Sequence, residues 1–135
     1  MENEKEMINK FLNKKNTFAV IGVSRNPNKY GSKVYLDLKR AGYSVFPINP
    51  KIAKLYEDKC YPTLNDLPKK PDVVDLVVPS KISERIVKDC KKLGIDKVWF
   101  QPGSESEKAI EFCKNHNIKV LKDICVMVKR KEIKK

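Results

Sequence analysis

An α/β three-layer sandwich on a five-stranded parallel sheet is predicted by three observations. Five apolar runs of four to seven residues alternate with amphipathic stretches along the 135 residues. The first run, Phe18 to Val23, leads through a small polar loop into a helix starting near Tyr30. Such a strand–loop–helix unit sets backbone N–H groups and a helix N-terminus where a phosphate can sit. Four of the five strand ends are rich in Pro, Gly, Ser and amides. Together these mark a Rossmann-like fold, with strand order 3-2-1-4-5 expected and the switch point between the first and fourth strands. Ligands of such folds bind beyond the C-terminal ends of the strands.

Each element has a local reason. Met7, Ile8, Phe11 and Leu12 form one apolar stripe, which predicts a helix within residues 1–15, over about 4–14. The first strand is expected over Thr17–Val23. The next helix, Tyr30–Arg40, turns Val34, Tyr35, Leu38 and Ala41 inward, and Gly42 stops it. The second strand is Ser44–Asn49. Pro47 suits an edge or a ladder end, because it has no N–H to donate. A loop with a short helical turn is expected over Pro50–Asp58, then a brief extended piece at Cys60–Pro62 and a turn capped by Thr63 or Asn65. The third strand, Val73–Val78, ends at Pro79. A helix over Ile82–Leu93 follows, with Ser80 or Ser83 as cap and Gly94 as stop. The fourth strand is Lys97–Phe100, then come a helix over Glu105–Asn115 and a fifth strand over Ile118–Leu121. Residues 128–135 read as a charged, frayed tail. The length suits a single domain over 1–135.

Composition narrows the function classes. The formal net charge is +12, carried by 25 Lys and only 4 Arg spread over the whole chain. Lysine neutralises phosphate as a point charge, whereas base readout leans on the arginine fork. A Lys/Glu-rich solvated surface of the kind thermophiles carry is the expectation, and nucleic acid is not an expected partner. No stretch approaches the ~20 apolar residues of a membrane span. The acidic N-terminus lacks an apolar signal region, so the cytoplasm is expected and a membrane partner is not. Among the four cysteines there is no C-x-x-C and no zinc spacing. Cys90 and Cys113 fall on apolar helix faces and read as small buried hydrophobes, Cys60 and Cys125 lie near strand or loop ends, and disulfides are not expected.

The strand ends carry the chemistry. The G-x-G-x-x-G fingerprint is missing; only Gly22 and Gly31 are present around the first loop. Ser24, Arg25, Asn26, Lys29 and Tyr30 still supply hydroxyls, an amide, two cations and a helix start, a bed for a pyrophosphate. After the second strand come Asn49, Pro50 and Lys51, where dinucleotide folds commonly place an acid on the ribose. A cation here suits a phosphorylated ribose instead, as in coenzyme A or NADP. Val78 and Pro79 make an apolar lip. Gln101 offers a donor and an acceptor, followed by Pro102 and Gly103, which permits close backbone approach.

Catalytic alternatives are poor. His116, the sole histidine, ends the fourth helix on the far side of the sheet. Asp72, Asp75 and Asp123 show no partners in sequence, and Trp99 and Phe100 read as strand packing. No metal ligands are assigned.

Six motifs occur in order: Gly22-Val-Ser-Arg-Asn-Pro27, Val45-Phe-Pro-Ile-Asn-Pro-Lys51, Cys60-Tyr-Pro62, Val74-Asp-Leu-Val77, Val98-Trp-Phe-Gln-Pro-Gly103 and Asp123-Ile-Cys125. Over about Thr17 to Met127 the chain thereby resembles the small stand-alone CoA-binding proteins. Those are similar to the CoA-binding domain of the succinyl-CoA ligase alpha subunit and of ADP-forming acyl-CoA ligases. The resemblance implies coenzyme A or an acyl-CoA as ligand. Ser24, Arg25, Asn26 and Lys29 would hold phosphates, and Asn49, Pro50 and Lys51 would lie near the adenosine phosphate. Val78 and Pro79 would line the pantetheine path, with Gln101, Pro102 and Gly103 opposite. The ligases also need a phosphorylated histidine on a following domain, so no acyl-CoA synthesis is expected of this chain alone; a ligase or acyltransferase partner stays unnamed. The rival reading is an NADP-dependent oxidoreductase, or another nucleotide-binding regulator, on the same fold.

Overall fold

The chain is described by a computed structural model over residues 2–133. Helix α1 (Glu4–Phe11) opens with a capping box: Asn3 accepts from the Glu6 N–H and Glu6 returns to the Asn3 N–H. It ends earlier than predicted because the Asn16 amide takes the free carbonyls of Lys10 and Phe11. Then follow β1 (Thr17–Ile21), α2 (Tyr30–Arg40) and β2 (Ser44–Ile48). Where a helical turn is expected the chain instead forms a hairpin, β3 (Lys54–Leu55) with β4 (Asp58–Lys59). A 3₁₀ segment (Leu64–Asp66) is capped by Thr63. Strand β5 (Val73–Leu76), α3 (Ser80–Leu93), β6 (Lys97–Phe100), α4 (Glu107–Asn115), β7 (Lys119–Leu121) and α5 (Val126–Glu132) complete the order.

The α/β class and the five-stranded parallel sheet are as predicted, but the order is β2-β1-β5-β6-β7. In predicted strand numbers that is 2-1-3-4-5, not 3-2-1-4-5. Two features explain the correction. Strand β5 is buried at every residue and pairs on both sides, with β1 and β6. Strand β2 carries Pro47, which cannot donate to an inner ladder, and so takes the edge. The switch point therefore lies between β1 and β5.

Alternation across the sheet divides the core. Phe18, Val20 and Trp99 face α1, α2 and α5, while Ala19, Ile21 and Phe100 face α3 and α4. Cys90 and Cys113 are buried on the second face, as their helical positions predict. The helix after Pro79 starts at Ser80, without a side-chain cap. Ser83, expected as a cap, is buried and donates to the Ser104 carbonyl at 2.7 Å.

The tail expected from 128 is helical to Glu132; Met1, Lys134 and Lys135 lie outside the described residues. Helix α5 is held by a two-bond ion pair, Arg130 to Asp37 of α2, at 2.6 and 3.0 Å. Both side chains are more than three-quarters covered. Fork-to-carboxylate pairs of this kind are among the stronger ones. Arg130→Ala is expected to cost about 1–2 kcal/mol, read as a lower urea midpoint; an unchanged midpoint would mean that α5 docks through Val126 alone.

Candidate functional site

The C-terminal edge of the sheet is built on two glycines that interlock. A Cβ on Gly22, whose φ is +104°, would stand 2.1 Å from the Val77 carbonyl oxygen. A Cβ on Gly31 would stand 2.0 Å from the Gly22 carbonyl oxygen. The pair thus lets the first turn of α2 sit directly on the exit of β1, and β1 on the exit of β5. Their role is close backbone packing, which accounts for two glycines without the three-glycine fingerprint.

Between them runs the loop 24–29. Ser24 Oγ accepts from the Asn26 N–H at 3.0 Å and Asn26 Oδ1 accepts from the Asn28 N–H at 2.9 Å. These side-chain turns shape the loop. Lys29 is the N-cap residue of α2, and no side chain caps that helix. Its leading N–H groups and dipole are therefore left for an anion. Arg25 and Lys29 are exposed beside it.

A cleft of about 490 Å³ opens next to this loop. Its walls are Ile21, Gly22, Ile48, Asn49 and Pro50 from the first two strand exits, Pro62, Thr63 and Leu64, then Val78 and Ile82, Arg85, Ile86 and Asp89 of α3. Of the sequence candidates, Gly22, Asn49, Pro50 and Val78 meet here. The Asn49 side chain is already engaged: it donates to the Val23 carbonyl and accepts from the Lys51 N–H, each at 2.8 Å. It fastens two strand exits together. Lys51 is exposed beside it. Pro79 is the N-cap residue of α3.

Gln101 requires a correction. Sequence reading puts its amide toward a ligand, whereas its side chain is fully buried with both ends used. Nε2 donates to Asp75 Oδ1 at 2.6 Å; Oε1 accepts from the Tyr30 hydroxyl at 2.8 Å and from the Val126 N–H at 3.2 Å. It ties β5, β6, α2 and α5 together from inside. The Tyr30 hydroxyl also lies 2.9 Å from Cys125 Sγ, and burial pushes the Tyr30 phenol pKa up. Only Pro102 and Gly103 of that tip are exposed.

Two buried polar residues, Asp75 and Ser104, make contacts to which sequence reading assigns no role. Asp75 is fully buried, burial raises its pKa to about 7, and its Oδ2 has no partner among the described residues. Its signal was present: one acid inside the run Val73–Val78. Ser104 Oγ accepts from the Val78 N–H at 3.0 Å, joining the β5 exit to the β6 exit. His116 is where sequence reading places it, ending α4 with its Nδ1 2.8 Å from the Phe112 carbonyl oxygen.

A family model described as "CoA binding domain" matches residues 16–131. The chain belongs to this family. A CoA binding domain is what the six motifs imply, and relatives agree. The chain is 32% identical over 114 residues to ADP-forming acetate–CoA ligase II of Archaeoglobus fulgidus, covering 76% of this chain and 17% of that one. It is 26% identical over 124 residues to the uncharacterized Bacillus subtilis protein YneT, covering 92% of each. Among solved structures, a conserved hypothetical protein from Pyrococcus furiosus superposes with a TM-score of 0.81 at 37% identity, over 84% of this chain and 98% of that one. The chain spans less than a third of the length of the acetate–CoA ligases it matches.

Proposed function

We propose that this CoA binding domain holds coenzyme A, or an acyl-CoA, across the C-terminal edge of its sheet, without catalysis of its own. The observation that carries the reading is the α2 N-terminus. It has no side-chain cap, two interlocked glycines seat it on the β1 exit, and an apolar cleft adjoins it. A pyrophosphate lies over Ser24, Arg25, Asn26 and Lys29, where helix dipole and cations both favour it. The adenosine end turns toward Asn49, Pro50 and Lys51 and the cleft. The pantetheine arm leaves over Val78 and Pro79 toward Pro102 and Gly103. Gln101 and Tyr30 support this surface from below. Two positions support the absence of catalysis in this reading: Asp75 is buried, and His116 caps a helix on the opposite edge. The cytoplasm is the proposed compartment; no helix among the described residues is long and apolar enough to cross a membrane.

The test is a thermal shift. At 100 times its dissociation constant a ligand adds about 2.7 kcal/mol. Coenzyme A is therefore expected to raise the melting temperature by several degrees, and NAD to leave it unchanged. A shift with NADP and none with coenzyme A would overturn the reading in favour of the oxidoreductase.

A further inference from the structure

The two edges of the sheet are finished differently. At β2 the chain closes the exit half of the edge itself. The Tyr61 N–H donates to the Pro47 carbonyl at 3.0 Å, and the Asn49 N–H donates to the Tyr61 carbonyl at 2.9 Å. At the other edge stands β7, which pairs with β6 and with no strand beyond it among the described residues. The Lys119 N–H donates inward, to the Asp96 carbonyl at 2.8 Å. Alternation along the ladder then turns the N–H and C=O of Val120 outward, and neither has a partner among the described residues. Such a row is a template for another strand.

Apolar side chains flank this open strand on both faces. On the α1 side a hollow of about 450 Å³ runs along it, bordered by Glu4 and Met7 of α1 and by Val120, Leu121 and Ile124. The Val120 side chain packs on the opposite face, with the α3 and α4 layer. There Ser106 Oγ donates to Glu84 of α3, so that flank of α4 meets α3. Phe112 lies about 120° round the helix from Ser106, and so on the flank toward the free edge of β7. Its ring packs on His116, with centroids 4.1 Å apart. Met7, Phe112, Val120 and Ile124 are each only half-buried.

The charges along the edge are neutralised from within the chain. Lys119 Nζ donates to Glu2 at 3.0 Å, and Lys122 Nζ donates to Asp123 at 3.0 Å. An acidic partner therefore finds no unpaired lysine on this edge, although the formal net charge of the chain is +12. A second copy fits better. One residue with one outward donor and one outward acceptor is self-complementary. Set antiparallel about a two-fold axis, Val120 of each copy can exchange both bonds with Val120 of the other. In that register Lys119 stands opposite Leu121 and Lys122 opposite Ile118. No lysine faces a lysine, so the destabilising like-charge pairs are avoided.

We propose that the free edge of β7 is a self-association site, at which two copies of this chain pair through Val120 and join their sheets into one. Strand addition of this kind takes its strength from main-chain bonds and its selectivity from the side chains beside them. Met7, Phe112 and Ile124 of each copy are covered at the seam. The cleft and the phosphate loop lie at the exits of β1, β2 and β5, so the site stands apart from the coenzyme A reading.

Sedimentation of the whole chain over a range of concentrations tests this. At about 0.5 M salt the repulsion between two such basic copies is screened. Wild type is there expected to pass from monomer to dimer mass as concentration rises. Val120→Lys sets two like charges face to face on the axis and is expected to stay monomeric at the same concentrations. Cross-linking gives a second reading that does not depend on that variant folding. Antiparallel residues that exchange both bonds stand about 5.5 Å apart at Cα, within disulfide reach. Mild oxidation with diamide is expected to join Val120→Cys into covalent dimers and to leave wild type, with its four cysteines, unjoined. A wild type that stays monomeric at every concentration would overturn the inference and leave the edge to an extended segment of another protein. A dimer that survives Val120→Lys, or that Val120→Cys does not trap, would overturn it by placing the contact elsewhere.

Discussion

Between pH about 4 and about 7 the folded state is expected to lose about 4 kcal/mol of stability through one residue, Asp75. The residue lies in the middle of β5, between Val20 of β1 and Trp99 of β6, and has no exposed surface. Its one hydrogen bond, from Gln101, favours the anion, but burial outweighs it and raises the carboxyl from 3.8 to about 7. The sign follows directly. Below about pH 4 both folded and unfolded chains carry the proton, and nothing is lost. Above that the unfolded chain releases it while the folded one keeps it, so stability falls as pH rises. The loss levels off above about pH 7, where both are ionised.

Asp75→Asn isolates this contribution. The asparagine oxygen can keep the Gln101 bond, while its NH₂ occupies the place of Oδ2, which has no partner among the described residues. An unpaired buried donor costs about 1–3 kcal/mol. Near pH 4 the protonated wild-type carboxyl bears the same unpaired donor, so the variant is expected to lie close to wild type there and to be more stable near pH 8. Urea unfolding of both proteins at those two pH values reads it. A difference between the two proteins that is the same at both pH values would show that Asp75 ionises in the fold as it does in the unfolded chain, and that burial does not govern it.

How far the sequence discloses the fold depends on the range of the interaction. Helix α2 and strand β6 have the bounds that sequence predicts, because apolar spacing and the stops at Gly42 and Gly94 are local signals. Strand order is not local. Pro47 marked β2 as an edge strand, yet the expected order put it inside the sheet; the full burial of β5 decides the matter and is a property of the packed chain. The hairpin at Lys54–Lys59 was illegible for another reason. Its tip uses Tyr56 in a left-handed conformation, where a turn signal would be Asn or Gly. The site divides the same way. Gly22, Asn49, Pro50 and Val78 sit at strand exits, which sequence locates, and they line the cleft. Ile82, Arg85, Ile86 and Asp89 enter the cleft from one face of α3, with the spacing of a helix stripe. That stripe reads as ordinary packing until the sheet is seen beneath it. Gln101 misled because exposure of a strand-end amide is not written in its neighbours; its buried partner, Asp75, is 26 residues away.

Gly31→Ala is expected to be among the most damaging of the conservative changes, and the reason is purely steric. The position is helical with ordinary backbone angles, so alanine should favour the helix by about 1 kcal/mol. The new methyl would nevertheless stand 2.0 Å from the Gly22 carbonyl oxygen and 2.8 Å from its carbon. Both atoms are backbone. The Gly22 N–H is bonded to the Ile48 carbonyl at 3.1 Å and the Val77 N–H to the Ile21 carbonyl at 2.9 Å, so the β1 exit is held from two sides. Helix α2 must shift instead, and with it the contacts of Val34, Tyr35 and Leu38 in the core. A net loss of about 3 kcal/mol is expected, at the upper end for overpacking, with a melting temperature lower by roughly 10 °C. Gly103→Ala is the comparison. Unlike Gly31 it has a positive φ, +95°, but a methyl there meets nothing within 4 Å. Its cost is backbone strain alone, about 1–2 kcal/mol. If the two variants melt alike, the glycine at 31 is not there for the close approach of α2 to the β1 exit.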